Sequence, residues 1–342
     1  MTRFSFIRPQ YGGTFKEALS SLFSRIQAHL QKEALQGRKA VLVRFFLSDA
    51  QNQADSLKEA LEHCAWPAPS SGNAAAPAIS IVEQPPLDRS RVTALVSTAS
   101  SRPEWMFHSL RLTEDEARGL DSYSQSRLLW DRYLDIIRPM GLELRTHCVR
   151  TWIYVRDIDS NYAGVVKARN DVFDLHGLSH LSHYIASTGI GGATECRNAV
   201  VAMDFLTYPE ISEKDKTYLK ALTHLSPTHD YGVAFERGVK LSDGHIYISG
   251  TASIDNHGQV LHPGDIVAQT DRLLENIDKL LEEGGSSLSK VPYFIIYLRD
   301  ISEYETVDAY MQRRFPEVPR VLLEARVCRP AWLIEMECET AL

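Results

Sequence analysis

From Asp265 to Gly285 the chain reads DIVAQTDRLLENIDKLLEEGG, with Ile266, Leu273, Ile277 and Leu280 at helical spacing. That spacing predicts a helix with one buried stripe, ended by Gly284-Gly285. The apolar run YFIIYLRD follows and predicts a strand finishing at Asp300. Ser302-Glu303-Tyr304-Glu305 has the form of a capping box and predicts a second helix that stops before Pro316. Ile334-Glu335-Met336-Glu337-Cys338-Glu339 then alternates apolar with acidic. A period of two predicts a strand with one wet face, on which the three carboxylates stand together.

The same order of elements occurs twice more. Near the N-terminus, Thr14-Phe15-Lys16-Glu17 is a capping box, and Leu19, Leu22, Phe23, Ile26 and Leu30 mark a buried helical face. Gly37 ends that helix, VLVRFFLSD is the strand to Asp49, and QADSLKEALEH is the next helix. Thr14 and Asp49 stand 35 residues apart, as do Asp265 and Asp300. In the middle, SQSRLLWDRYLDIIRPMG, VRTWIYVRD and YAGVVKARNDVFDLHG repeat helix, strand and helix. Each central strand ends on an aromatic, an aliphatic and an aspartate: Phe46, Leu47, Asp49; Tyr154, Val155, Asp157; Tyr297, Leu298, Asp300. The expectation is an α+β chain of three tandem β-α-β-α-β units, over residues 1–100, 101–215 and 216–342. The Pro-, Ala- and Ser-rich run from Trp66 to Ala78 is a loop inserted in the first unit.

Charge and cysteine usage narrow the class. A formal net charge of −7 lacks the basic excess of a nucleic-acid binder, so no nucleic-acid partner is expected. Five cysteines without a CxxC pair suggest neither a disulfide frame nor a zinc cluster. The start MTRFSFIRPQYGG lacks the apolar core of a signal peptide, and no segment has the length of apolar residues that spans a membrane. A cytoplasmic protein with no membrane partner is expected. His176, His180 and His183 have a spacing that could face a metal from one helix, but Gly177 interrupts it, so no metal is assigned. Gly189-Ile190-Gly191-Gly192 is too short for a dinucleotide fingerprint, and no cofactor is expected.

The third unit resembles the RidA/YjgF superfamily. The resemblance lies in Asp230-Tyr231-Gly232, in IYISGTASI and HPGDIVAQTDRLLENI, and in Pro319-Arg320 followed by Glu335. It implies a pocket lined by Tyr231, Gly250, Arg320 and Glu335. Members assemble as trimers, so three units in one chain imply a pseudo-trimeric barrel of chorismate-mutase-like units with helices outside. One chain would then suffice as a monomer, with a dimer possible. Three units in one chain look most like the chorismatase branch, which cleaves chorismate and releases pyruvate. Arg150-Thr151-Trp152 with Tyr154, Gly250-Thr251-Ala252-Ser253, and Val327-Cys328-Arg329 ahead of Glu335 carry that likeness. It implies that Glu335 protonates the substrate and that Cys328 goes with formation of 3-hydroxybenzoate rather than a dihydrodiol. Ser187 to Asn198 departs from the pattern.

These residue types suit a small carboxylate substrate. Arg320 can clamp a carboxylate with two parallel hydrogen bonds, and Arg150 or Arg169 can take a second carboxylate or serve in ion pairs. A glutamate holds a proton near pH 7 only where burial or a neighbouring charge lifts its pKa, and Glu337 could add such a charge. Glu339 is expected to be solvated. Across the repeats, Ile79 and Ala94 stand where the third unit has Arg320 and Glu335, and the nearest acid in the second is Asp204, so one live site per chain is expected. Two other readings fit the same residues: deamination of enamines or imines, and a non-catalytic sensor of small acids.

Overall fold

Each central strand is apolar on both faces because it is covered on both. In this computed structural model, which describes residues 2–10, 13–64, 66, 76–101 and 103–341, three sheets each turn one face toward their own helices. The other face meets the neighbouring sheets. The inserted run Trp66 to Ala78 lies mostly outside the described residues.

The first sheet is built from β1 (Thr2–Ile7), β2 (Lys39–Leu47), β3 (Ala78–Glu83) and β4 (Val92–Ala99), with α1 (Phe15–Ala34) and α2 (Ala50–Glu62) between them. Its order is β1-β4-β2-β3. Thr14 caps α1 in a capping box with Glu17, as the sequence predicts. Leu19, Leu22, Ile26 and Leu30 pack on Val43, Phe45 and Leu47, whereas Phe46 joins the core shared with the other sheets. The alternation along β2 therefore sorts its residues between two buried layers.

The second sheet repeats the plan. It contains β5 (Met106–Leu110), β6 (Cys148–Val155), β7 (Ala186–Gly191) and β8 (Val201–Thr207), with the short α3 (Glu114–Ala117), α4 (Ser122–Ile137), the short α5 (Leu144–His147) and α6 (Ile158–Leu175). The order β5-β8-β6-β7 matches the first sheet. The third is larger: β9 (Lys216–Leu219), β10 (Gly238–Leu241), β11 (His245–Thr251), β12 (Phe294–Leu298), β13 (Arg320–Glu324) and β14 (Ile334–Ala341) run in the order β13-β12-β14-β11-β10-β9. Its helices are α7 (Ile266–Glu283) and α8 (Tyr304–Arg314).

Four expectations change. Each repeat ends in two strands rather than one, a parallel neighbour of the central strand and an antiparallel one. The sheets stay separate: they touch through isolated bridges such as Glu83 to Ala193, Pro86 to Leu323 and Ile190 to Val327, and no closed barrel forms among the described residues. Ser302 does not open α8; Asp300 accepts from Ser302 N–H and caps a short turn that leads into it. The acidic side of β14 is not wet, for Glu335 and Glu337 are each 4% exposed and face the junction of the sheets. Among the described residues no helix is long and apolar enough to cross a membrane.

Candidate active site

A cavity of about 550 Å³ opens between the second and third sheets. The third contributes β11, the start of β14 and the loops before β10 and β14, and the second contributes α6 and β7. Four of the residues singled out from the sequence meet there: Glu335, Cys328, Gly250 and Arg169.

Glu335 stands on β14 opposite Tyr297 of β12. On its other side the pairing of β14 with β11 slips between Ile248 and Thr251, and Gly250 lies in that bulge. A Cβ on residue 250 would lie 1.9 Å from Glu335 Oε1, so only glycine leaves the carboxyl its place. Burial first, and then the negative charge of Glu337, push the Glu335 carboxyl up to about 8. It therefore carries a proton at neutral pH.

Glu337 differs although it lies two residues along the same face. Arg150 donates to it at 2.9 Å, Trp152 Nε1 at 2.9 Å, Thr188 Oγ1 also donates, and the Arg44 guanidinium is 3.6 Å away. These contacts occupy both oxygens of the carboxyl group. Arg150 is thus occupied with Glu337, Thr188 and backbone carbonyls and does not line the cavity, which corrects its expected role as a substrate partner.

Arg169 of α6 does reach the cavity. It is 1% exposed, and its Nε and Nη2 have no hydrogen-bond partner among the described residues. Those two nitrogens form one edge of the guanidinium, the edge that matches the two oxygens of a carboxylate. Cys328 adds a thiol rather than a thiolate, pushed up to about 12 by burial and then by Glu335.

Arg320 is elsewhere. β13 and β14 flank β12 on opposite sides, so Arg320 pairs with Phe294 while Glu335 pairs with Tyr297 on the other edge. Its guanidinium is held by Asp308 at 2.8 Å and Gln312 at 2.8 Å, beside a second cavity lined by Arg8 and Asp88. The expectation that Arg320 and Glu335 share a pocket is not met. The side chain of Tyr231 lies outside the described residues, although Gly232 lines the cavity.

Sequence reasoning missed Arg237, Arg329, Lys167 and Tyr162, all of which line the cavity. Arg237 donates to the Ser226 carbonyl at 3.0 Å, and Arg329 lies over the Trp332 ring at 5.0 Å. Lys167 pairs with Asp171 at 2.8 Å, and Asp171 lines the same cavity. Tyr162, Val166 and Arg169 share one face of α6 at helical spacing, a signal readable in the sequence. Arg237 follows no such period. Gly189 leaves room for Tyr162, whose hydroxyl would be 2.9 Å from a Cβ there. The departure at Ser187 to Asn198 thus includes part of the cavity wall.

Register locates the counterparts of Glu335. Tyr154 and Phe46, which correspond to Tyr297, stand opposite Ala202 and Thr93. The first sheet's counterpart is thus Thr93 rather than Ala94, and neither is an acid. Asp204 faces Trp152, the register position that Glu337 holds opposite Ile295. The histidines form no face: α6 ends at Leu175, and His183 stacks on Tyr218 at 4.4 Å with Glu213 3.0 Å from its Nε2. Among the described residues no group of His, Cys, Asp or Glu is placed to hold a metal.

The comparisons with known proteins agree with this layout. Residues 226–341, which carry β10 to β14, match the family model described as Endoribonuclease L-PSP. A stretch of 97 residues is 34% identical to the 3-aminoacrylate deaminase RutC of Acinetobacter baylyi, covering 28% of this chain and 77% of that protein. The crystal structure of a chorismatase superposes with a TM-score of 0.68 at 18% identity, covering 100% of this chain and 98% of the other, so the two share a fold. The chain belongs to the RidA/YjgF family, that of the Endoribonuclease L-PSP model.

Proposed function

We propose that the cavity binds a small dianionic enol ether of the chorismate type and cleaves it to pyruvate and a cyclic hydroxy acid. The observation that carries this reading is a protonated, buried Glu335 lining the same cavity as Arg169, two of whose nitrogens have no hydrogen-bond partner among the described residues. An enolpyruvyl ether is inert until its methylene carbon is protonated. Glu335 delivers that proton, giving an oxocarbenium ion that the arginine-held carboxylate keeps in place. Water adds to the cationic carbon and loses one proton to the Glu335 carboxylate, giving a hemiketal. The hemiketal's hydroxyl proton passes to the ether oxygen as the carbon–oxygen bond breaks, releasing pyruvate and the alcohol. Arg237 and Arg329 are suited to the second carboxylate, the part given above to Arg150. Cys328, as a neutral thiol on the wall, shapes the space in which the ring lies and so bears on which product forms.

The fold shared with a chorismatase supports this reading, as does a cavity within the usual size range for a small-molecule site. We read the three sheets as three copies of one unit, divided near residues 100 and 215, with one working site. A single chain then suffices.

A second reading, hydrolysis of an enamine acid, is favoured by the identity to a 3-aminoacrylate deaminase. It uses the same first step, because an enamine is also protonated on carbon. Incubation with chorismate and, separately, with an enamine acid separates the two. Pyruvate from chorismate supports the first reading. Ammonia from the enamine with no pyruvate from chorismate overturns it.

A further inference from the structure

Thr188 sits on β7 of the second sheet, but its hydroxyl serves the third. It accepts from the Gly250 N–H at 2.9 Å and from Arg150 Nη2, and it donates to Glu337 Oε2. One buried oxygen thus joins the bulge that makes room for Glu335 to the charge that lies beside it. Its methyl group backs the same glycine, 3.1 Å from where a Cβ would stand.

We propose that Thr188 is a positioning residue for the acid of the site: by holding the Gly250 amide away from Glu335 and donating to Glu337, it keeps Glu335 a proton donor. This rests on the reading of Glu335 as a general acid. Several groups surround that carboxyl. Glu337 comes from its own strand, Tyr297 from β12, Arg150 from β6, Arg237 from ahead of β10, and Cys328 with Arg329 from the loop before β14. Arg169 and Lys167 line the same cavity from α6. Tyr297 and Cys328 are neutral, since burial raises both. Glu337 is the neighbour whose charge favours the protonated acid, and the cations oppose it.

Thr188→Val removes the hydroxyl and keeps the shape. Glu337 loses a donor, and the freed Gly250 N–H becomes available to an ionised Glu335, which favours release of its proton.

The test is a carbon-13 NMR titration of the Glu335 carboxyl in the full chain without substrate, assigned with Glu335→Gln, beside the pH profile of pyruvate release from chorismate. Wild type is expected to titrate near 8. Thr188→Val should lower that midpoint by about one unit, a tenfold loss of proton affinity, with Thr188→Ser restoring it. Glu337→Gln should lower it as well, which keeps the test open if the valine variant does not fold. A folded Thr188→Val with an unmoved midpoint overturns the proposal. So does an unmoved midpoint in Glu337→Gln if the valine variant is unfolded. Failure of the reaction reading looks different: no pyruvate is made, yet the midpoint still moves with Thr188. Conversely, pyruvate release with the same alkaline limb in wild type and a folded Thr188→Val overturns the placement of Thr188 alone.

Discussion

At the scale of the residue, Glu335 costs the fold something at alkaline pH. The folded chain holds its proton to about 8, whereas an ordinary glutamate in the unfolded chain releases it near 4.5. Between those values the folded state binds more protons, so stability from this group falls as pH rises through the window and levels off above it. Glu335→Gln removes the burden by presenting a neutral side chain. Thermal or urea unfolding should show the variant gaining about 1–3 kcal/mol over wild type at pH 9 and little at pH 5. Equal effects at both pH values would show that the carboxyl is not held protonated. Its candidacy was legible because a period-two acidic strand and a family pattern converge on it. That its side chain is dry was not legible, since alternation reports two faces and says nothing of what covers the second. Glu339 shows the same limit: it is half-buried, and burial pushes it up to about 7.

At the scale of the element, the lesson lies in β13 and β14. The fifteen-residue interval from Arg320 to Glu335 suggests proximity, yet the intervening chain moves to the other side of β12. A sequence records separation along the chain but not which edge of a strand each partner takes. On α6 the opposite holds, because a 3.6-residue period fixes which residues share a face, and Tyr162, Val166 and Arg169 could have been grouped in advance. Kinetics on two arginine variants checks this assignment. Arg169→Ala should raise KM about tenfold to a hundredfold, the effect of losing a charge-assisted pair of hydrogen bonds. Arg320→Ala should leave KM within about twofold and lower stability by about 1 kcal/mol through the loss of its partly exposed pair with Asp308. The reverse pattern would return Arg320 to the site.

At the scale of the whole molecule, three sheets meet over a buried polar centre. Arg44 of the first lies 4.0 Å from Asp204 of the second and 3.6 Å from Glu337 of the third. The tandem organisation was readable from three matching runs of helix and strand. How the sheets meet was not, because its polar contacts join residues more than 100 positions apart. At the position of Glu335 the other sheets carry Thr93 and Ala202, and the register position of Glu337 in the second is taken by Asp204, bound by Arg111 at 2.9 Å. Calorimetric titration of Glu335→Gln with chorismate should therefore give one site per chain, and two or three would contradict a single working cavity. The most direct measurement is pyruvate formation from chorismate by wild type and Glu335→Gln at pH 7. Steady release by wild type and a loss of about a hundredfold or more in the variant are expected. Equal rates in the two proteins, or no pyruvate from wild type, would contradict that expectation.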